Sequence, residues 1–254
     1  GFEPAENERI KFHAISKIEK NSSKSQIKFQ DIFGEWLCDK AEIEKKLVAI
    51  TPAMTEGSGM VNFEKQYPER FYDVAIAEQH AVTFGAGLAL GGMKPVVAIY
   101  STFLQRAYDQ LIHDVCLENI DVTFALDRAG IVGEDGPTHS GSFDISFMRC
   151  IPNLVIATPS DEDETRILLN TCFEYEGPAA VRYPRGSGCG AQVNKELSTV
   201  EIGKGKEINE GNDVCILNFG VLIDRALEIV QETNYGLCDM RFVKPLDEEL
   251  IDEI

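Results

Sequence analysis

The hydrophobic pattern of the chain alternates between short apolar runs and amphipathic segments of helical length. Apolar residues recur at helical spacing over residues 27–37, and residues 47–50 (LVAI) follow as a short buried strand. The alternation then repeats, with strands predicted at 71–75, 95–100, 122–126, 154–157 and 179–183, and helices at 78–90, 104–117, 144–149 and 161–174. Apolar strands separated by amphipathic helices are typical of a parallel sheet covered on both faces. The pattern therefore predicts an α/β fold with an open, mostly parallel sheet and helices on both faces.

Changes in composition divide the chain into four parts. Residues 1–25 are charged and carry few periodic apolar positions, so we interpret them as an irregular lead-in that follows something missing upstream. Residues 26–186 form the first domain, and the polar, Gly-rich residues 187–212 are interpreted as a linker. A strand at 214–219, a helix at 223–230 and a strand at 237–243 then restart the pattern. One such unit cannot cover both faces of its sheet, so residues 213–254 are expected to be the truncated start of a second α/β domain.

Charge and composition narrow the possible partners. The chain of 254 residues is 44% hydrophobic and has a formal net charge of -18, which disfavours nucleic acid and anionic membranes as partners. No apolar run reaches the ~18 residues that span a bilayer. The seven cysteines include no Cys-x-x-Cys pair, which favours reduced thiols over a structural metal. We therefore expect a cytoplasmic protein that binds neither a membrane nor nucleic acid.

The residues that could bind a ligand or take part in a reaction lie at the ends of the predicted strands, where ligands bind in open parallel sheets. These positions are Glu78 after the strand at 71–75, Tyr100, Ser101 and Phe103 after the next, Asp127 and Arg128 after the third, and Arg185 after the last, with Arg106 just inside the following helix. A carboxylate, aromatic rings and guanidiniums on one rim suit a planar heterocycle and an anion. The sequence lacks the Gly-rich phosphate loop, the nucleophile elbow and the zinc-protease motif.

Four ordered blocks carry a family resemblance. Residues 70–80 (RFYDVAIAEQH), 100–110 (YSTFLQRAYDQ), 127–139 (DRAGIVGEDGPTH) and 181–186 (VRYPRG) resemble the pyrimidine-binding domain of the 1-deoxy-D-xylulose-5-phosphate synthase family, and residues 242–246 (FVKPL) resemble the opening of its C-terminal domain. The resemblance runs nearly from end to end. It implies a transferase of the transketolase type that uses thiamine diphosphate to condense pyruvate with D-glyceraldehyde 3-phosphate, releasing CO2. The product feeds isoprenoid precursors, thiamine and pyridoxal phosphate.

The resemblance also implies roles for the cofactor-facing residues. Glu78 is expected to exchange a proton with the far nitrogen of the aminopyrimidine ring. Phe103 is expected to stack on that ring, with Tyr100 and Arg106 lining the same pocket. Alternatively, Glu78 only complements the positive end of its helix, a contribution of at most ~1 kcal/mol at an exposed position. A Tyr-x-x-Phe pair at a strand end is also common in hydrophobic cores.

The substrate-facing residues follow from the same resemblance. Arg128 and Arg185 are expected to bind the acceptor's phosphate, while Asp135 and His139, in a flexible Gly-rich loop, border the substrate. Tyr100 and Ser101 are placed at the same subsite, and His139 is also assigned a catalytic role. Alternatively, the arginines form surface ion pairs, an interpretation that suits the neighbouring Arg182 better than Arg185. Asp135 and His139 could equally be ordinary turn residues.

One departure from the family concerns the metal. Family chains are more than twice as long and hold Mg²⁺ and the diphosphate at a Gly-Asp-Gly stretch followed by Asn, which this sequence lacks. We therefore expect no metal site in this chain, which on its own should be inactive without the missing N-terminal domain. The family also implies a homodimer. The alternatives are a transketolase-like enzyme, a 2-oxoacid dehydrogenase β-type subunit, or a non-catalytic domain of the same fold.

Overall fold

The larger of two sheets contains seven strands and holds the candidate residues at one end. This computed structural model describes residues 1–7 and 26–254. The strands are β1 (Leu47–Thr51), β2 (Phe71–Asp73), β3 (Lys94–Tyr100), β4 (Thr123–Asp127), β5 (Val155–Ala157), β6 (Ala179–Arg182) and β10 (Phe242–Lys244). Their order is β10-β5-β6-β4-β3-β1-β2, and every pairing is parallel except that of β10 with β5. The predicted open, mostly parallel sheet is confirmed.

Helices cover both faces of this sheet. They are α2 (Phe29–Ile43), α3 (Val61–Gln66), α4 (Glu78–Leu90), α5 (Ser101–Leu104), α6 (Tyr108–Gln110), α7 (Asp144–Arg149) and α8 (Glu162–Glu174). Because side chains alternate along a strand, Val96 and Ala98 of β3 enter the core shared with α2 and α8, whereas Val97 and Ile99 enter the core beneath α4. The sheet is thereby buried on both sides, which explains its continuous apolar strands.

The helix predicted over residues 104–117 is wrong as a single α-helix. The chain forms α5, a 3₁₀ turn at Gln105–Ala107, α6 and a π-helical turn at Leu111–Cys116. Apolar periodicity reveals which face of such a segment is buried, but it does not distinguish these closely related helical windings. This break is relevant to the site because it places Arg106 in the 3₁₀ turn.

A second, three-stranded sheet follows. It contains β7 (Lys206–Asn209), β8 (Cys215–Asn218) and β9 (Gly236–Asp239) in the order β7-β9-β8, with α9 (Ile223–Glu232) packed against it and α10 (Glu248–Glu253) near the end of the chain. Strand β7 lies within the segment interpreted as a linker. The single strand predicted over 237–243 is wrong. The backbone turns at Arg241, which has a φ of 56°, and β10 then pairs with β5 in the first sheet. The two sheets are thus linked by β10.

At the other end of the chain, α1 (Glu3–Asn7) lies in the segment predicted to be irregular, and the rest of that prediction lies outside the described residues. All seven cysteines fall in the described ranges and are free thiols, with Cys150 and Cys189 exposed. None of the helices in the described ranges is long and apolar enough to cross a membrane.

Candidate functional site

Glu78 is the first residue of α4, directly after a turn that is fixed by Asp73. The Asp73 carboxylate accepts hydrogen bonds of 2.9 Å from the backbone N–H groups of Ala53 and Ala75, and Ala75 has a φ of 58°. The turn brings the Glu78 side chain inside, where it is only 3% exposed. Its Oε1 accepts a hydrogen bond of 2.7 Å from Nη1 of Arg106. Within residues 26–254, Oε2 accepts no hydrogen bond, so one carboxylate oxygen remains available to a ligand.

Two stacked aromatic rings lie beside this ion pair. Tyr100 ends β3 and Phe103 belongs to α5, and their rings are nearly parallel, with centroids 5.6 Å apart and an interplanar angle of 9°. Arg106 Cζ lies 5.4 Å from the Phe103 centroid, and the His139 ring meets Phe103 edge-on at 5.4 Å. Burial raises the pKa of the Tyr100 hydroxyl to about 12. The structure therefore brings Glu78, Arg106, Phe103, Tyr100 and His139 into one cluster of contacts.

Arg128 extends this cluster from the end of β4. Its Cζ lies 4.2 Å from the Tyr100 ring centroid, and its side chain forms an ion pair with Asp127. Its φ of 58° is in the left-handed region, and its backbone N–H donates to Asp127 Oδ1 at 2.6 Å. Burial raises the pKa of Asp127 to about 6, and the positive charge of Arg128 opposes that rise. This arginine is largely enclosed, with a residue exposure of 9%.

Arg185 lies against the Gly-rich loop that carries Asp135 and His139. Its Nη2 donates to Glu134 Oε1 at 2.5 Å, and its Nε lies 3.0 Å from Asp135 Oδ2. Two 3₁₀ turns, Gly133–Asp135 and Pro137–His139, shape the loop. The loop thus connects one predicted phosphate-binding arginine to His139 and, through that ring, to Phe103.

Ser101 is set apart from these contacts. Its side chain is buried, its Oγ has no hydrogen-bond partner among the described residues, and a Cβ on Gly141 would lie 2.6 Å from that oxygen. Ser101 therefore packs under the backbone that follows the Gly-rich loop. Arg182 is also separate, because its Nε donates to Asp144 Oδ2 at 2.9 Å, and that carboxylate is buried.

Gly57 and Gln30, which no sequence motif indicates, also contact the predicted site. Arg128 Nη1 donates to the carbonyl oxygen of Gly57 at 2.6 Å and to Gln30 Oε1 at 3.2 Å. A Cβ on Gly57 would lie 2.0 Å from the Tyr100 hydroxyl oxygen, so only glycine fits there without movement. Gly57 belongs to the loop after β1, and the strand-end rule predicts only that this loop lies at the same edge of the sheet.

The donor set fits a planar nitrogen heterocycle and does not form a metal site. A nearly buried carboxylate with one free oxygen lies beside stacked rings and a guanidinium. Among the described residues, no group of three or more His, Cys, Asp or Glu side chains could hold a metal ion. A cleft of about 990 Å³ runs between α7 and the segment after β10, and none of the predicted site residues lines it. The predicted site residues lie instead at the ends of β3 and β4 and at the start of α4.

Comparisons with known proteins give consistent results. Residues 25–189 match the family model described as the pyrimidine binding domain of transketolase, and residues 203–254 match that of the transketolase C-terminal domain. Among curated proteins, the chain is 62% identical to the 1-deoxy-D-xylulose-5-phosphate synthase of Cellvibrio japonicus over 99% of its length, and 59% identical to that of Hahella chejuensis over 100%. It spans 41% of each of these relatives. The family resemblance drawn from the motifs is confirmed.

Solved structures agree on the fold. A split-gene transketolase, described as an inactive β4 tetramer, superposes with a TM-score of 0.79 and 28% identity, covering 90% of this chain and 76% of that one. The transketolase of Campylobacter jejuni gives a TM-score of 0.72 at 18% identity, covering 100% of this chain and 41% of that one, a likeness of fold alone.

Proposed function

This chain belongs to the family of transketolase pyrimidine-binding domains, and from that premise we propose that it is part of a 1-deoxy-D-xylulose-5-phosphate synthase. The enzyme would condense pyruvate with D-glyceraldehyde 3-phosphate and release CO2. Identity of 62% along almost the whole chain to a relative of that name supports this proposal. The chain spans only 41% of that relative, so the complete reaction would need the remaining segments as well.

The observation that carries the proposal is the contact between Glu78 and Arg106 beside the rings of Phe103 and Tyr100. Thiamine diphosphate has an aminopyrimidine ring, and when bound it supplies the carbon nucleophile and the electron sink that decarboxylation requires. Glu78 would hold its ring nitrogen through the free Oε2, with Phe103 against the ring face and Tyr100 and Arg106 beside it.

Glu78 would act as an acid and base at that nitrogen, taking up and returning one proton in each turnover. Positioned groups of this kind contribute about 10²–10⁴ in rate. Its 3% exposure favours this role over the alternative of an exposed charge at a helix end. Arg106 would hold the carboxylate in one orientation through its bond to Oε1, which leaves Oε2 for the proton transfer.

Arg128 and Arg185 would bind the phosphate of the acceptor aldehyde. Charge-assisted hydrogen bonds of this type contribute roughly 1.5–3 kcal/mol each. Asp135 and His139 would border the acceptor because the loop that carries them also contacts Arg185 and Phe103. Tyr100 would also line this subsite, because its ring lies against Arg128. Ser101 would support the subsite as the next residue along the chain.

The diphosphate and its Mg²⁺ would be bound by an N-terminal domain outside this sequence, and the completed enzyme would be a homodimer. In this arrangement residues 26–186 are the pyrimidine-binding domain, 187–212 a connection whose later part carries β7 of the second sheet, and 213–254 the start of the C-terminal domain. The 254-residue chain alone would then be inactive.

The second candidate is a transketolase, favoured by the superposition on the split-gene transketolase. That match has 28% identity, against 62% for the relative named as the synthase, so the synthase is the better supported function.

A substrate comparison separates the two candidates. The chain would be completed with the segments that its curated relatives carry and supplied with thiamine diphosphate and Mg²⁺. One reaction receives ¹³C-pyruvate and glyceraldehyde 3-phosphate, the other a ketose phosphate donor and an aldose phosphate. We expect labelled 1-deoxy-D-xylulose 5-phosphate in the first and no transfer in the second. Transfer from the ketose alone would refute the synthase proposal.

A further inference from the structure

Two carboxylates of the Gly-rich loop cover the guanidinium of Arg185. Glu134 Oε1 lies 2.5 Å from Nη2, and Asp135 Oδ2 lies 3.0 Å from Nε. The side chain of Arg185 is about one third exposed, so solvent ions can also reach it. An anion that approaches this arginine therefore meets a position that the protein's own carboxylates already hold.

The charges around the phosphate subsite make an exchange necessary. Arg128 and Arg185 supply two positive charges, and Asp127, Asp135 and Glu134 face them with three carboxylates. A phosphate monoester brings nearly two further negative charges at neutral pH. Like charges this close together repel one another unless one of them moves away. One resident carboxylate must therefore leave before the phosphate can bind both arginines.

Glu134 is the carboxylate that can leave most easily. Its side chain is 67% exposed, whereas that of Asp135 is 26% exposed. The loop has glycines of positive φ on both sides, Gly133 at 62° and Gly136 at 81°, with open space around each of them. Because an ion pair this exposed is weak, rotation of Glu134 into solvent would have little effect on stability.

A tethered carboxylate discriminates between anions by their charge. It competes with free ligands as if present at a millimolar concentration, since the short loop keeps it near Arg185. A monoanionic carboxylate makes the same contacts with Arg185 as Glu134 does, and it gains nothing by replacing it. A phosphate monoester carries more charge and more acceptor oxygens, so it can displace Glu134.

We propose that Glu134 is a displaceable counter-ion of Arg185, which keeps monocarboxylates such as the donor pyruvate out of the phosphate subsite and yields to a phosphate-bearing acceptor. This inference rests on the proposed function for the identity of the two substrates. It makes Glu134 a specificity-determining residue.

The test compares Glu134→Gln with a matched control in the completed enzyme. Glu232→Gln removes the same charge from an exposed glutamate at the end of α9, in the second sheet unit. In Glu134→Gln we expect the KM for glyceraldehyde 3-phosphate to fall about two- to five-fold, the range that an exposed ion pair supports. The inhibition constant of acetate, measured in competition with the acceptor, should fall by a larger factor, because Glu134 would no longer favour phosphate over monocarboxylates.

Two further readouts separate a local effect from a general one. The KM for D-glyceraldehyde, which has no phosphate, should stay unchanged in Glu134→Gln, and Glu232→Gln should match the wild type throughout. An unchanged or higher KM for the phosphorylated aldehyde in Glu134→Gln would overturn the inference. Equal changes in the two variants would do so too, because they would point to net charge alone.

A binding measurement keeps this inference separate from the proposed function. If the completed wild-type enzyme forms no product, the proposed function fails, and ³¹P NMR titration of the 254-residue chain with inorganic phosphate then tests Glu134. We expect Glu134→Gln to bind phosphate about two- to five-fold more tightly than the wild type, and this gain to disappear when Arg185→Gln is added. Equal affinities of Glu134→Gln and the wild type would overturn the inference.

Discussion

Arg106 Nη1 lies 2.7 Å from Glu78 Oε1, and this hydrogen bond joins the first residue of α4 to the 3₁₀ turn after β3. The carboxylate is nearly buried, whereas the guanidinium is about half exposed. The bond fixes one oxygen of Glu78 and leaves the other for a ligand. In the proposed enzyme, this geometry would present the acid–base group to the aminopyrimidine ring.

The first prediction concerns the energy of this pair. Arg106→Gln leaves the Glu78 carboxylate buried without its charged partner, so we expect the free energy of unfolding to fall by about 1–2 kcal/mol. Urea denaturation of the 254-residue chain measures this. Arg225→Gln is the control, since its ion pair with Glu228 is exposed and should contribute much less to stability. Equal losses in the two variants would contradict the structural role of the buried pair.

The second prediction concerns Gly57. A methyl group there would lie 2.0 Å from the Tyr100 hydroxyl oxygen, so Gly57→Ala should displace that ring and lower the free energy of unfolding by about 1–3 kcal/mol. Gly87→Ala is the matched control, because nothing lies within 4 Å of its added Cβ and it is inside α4. The control should gain up to about 1 kcal/mol from helix propensity. Thermal unfolding compares them, and a Gly57→Ala chain as stable as Gly87→Ala would refute the predicted clash.

The third prediction separates two arginines that are three residues apart. Arg182 donates to the buried Asp144, so Arg182→Gln should lower the unfolding temperature and leave the acceptor KM of the completed enzyme unchanged. Arg185→Gln should leave the unfolding temperature nearly unchanged and raise that KM at least ten-fold, since a lost charge-assisted contact costs about 1.5–3 kcal/mol. Steady-state kinetics and thermal unfolding of both variants provide the comparison. A higher KM in Arg182→Gln alone would contradict the prediction and assign phosphate binding to Arg182.

Much of this architecture could be predicted from local sequence. The strands β1, β3, β4 and β6 are continuous apolar runs, and the polar residues at their ends lie on one rim because parallel strands end at the same edge. Glu78, Tyr100 and Arg128 are positioned by this rule. Helix α7 has the predicted bounds, and α8 begins one residue later than predicted because Asp161 caps it.

Other features depend on contacts between distant residues. Phe242–Lys244 pairs with β5 because the backbone reverses at Arg241, and no apolar periodicity marks that turn. The carbonyl oxygen of Gly57 and the side chain of Gln30 reach Arg128 from 71 and 98 residues away. No sequence pattern indicates a role for Glu134, and only the folded loop shows its contact with Arg185. These contacts depend on tertiary packing, which local patterns do not encode.

The fourth prediction concerns pH. Burial raises the pKa of Asp127 to about 6 in the folded chain, against about 3.9 in an unfolded one. Between these two pKa values Asp127 is protonated in the folded state and ionised in the unfolded state. The contribution of Asp127 to stability is therefore fully present below pH ~4 and is lost as the pH rises through 6. Relative to Asp127→Asn, the wild type should therefore lose about 1–3 kcal/mol of unfolding free energy between pH 4 and pH 7. Parallel pH profiles of the two proteins would contradict the raised pKa.

The most direct test of the proposed function is the turnover rate of the completed enzyme with Glu78→Gln, at saturating pyruvate and glyceraldehyde 3-phosphate. The control is Glu162→Gln, a second buried glutamate, which accepts hydrogen bonds from the backbone of Gly190 and Ala191 and lies outside the candidate site. If Glu78 transfers the proton at the cofactor ring, kcat for 1-deoxy-D-xylulose 5-phosphate should fall by about 10²–10⁴ in Glu78→Gln, while folded Glu162→Gln keeps the wild-type rate. A Glu78→Gln enzyme that turns over as fast as the wild type would show that this carboxylate is not the acid–base group.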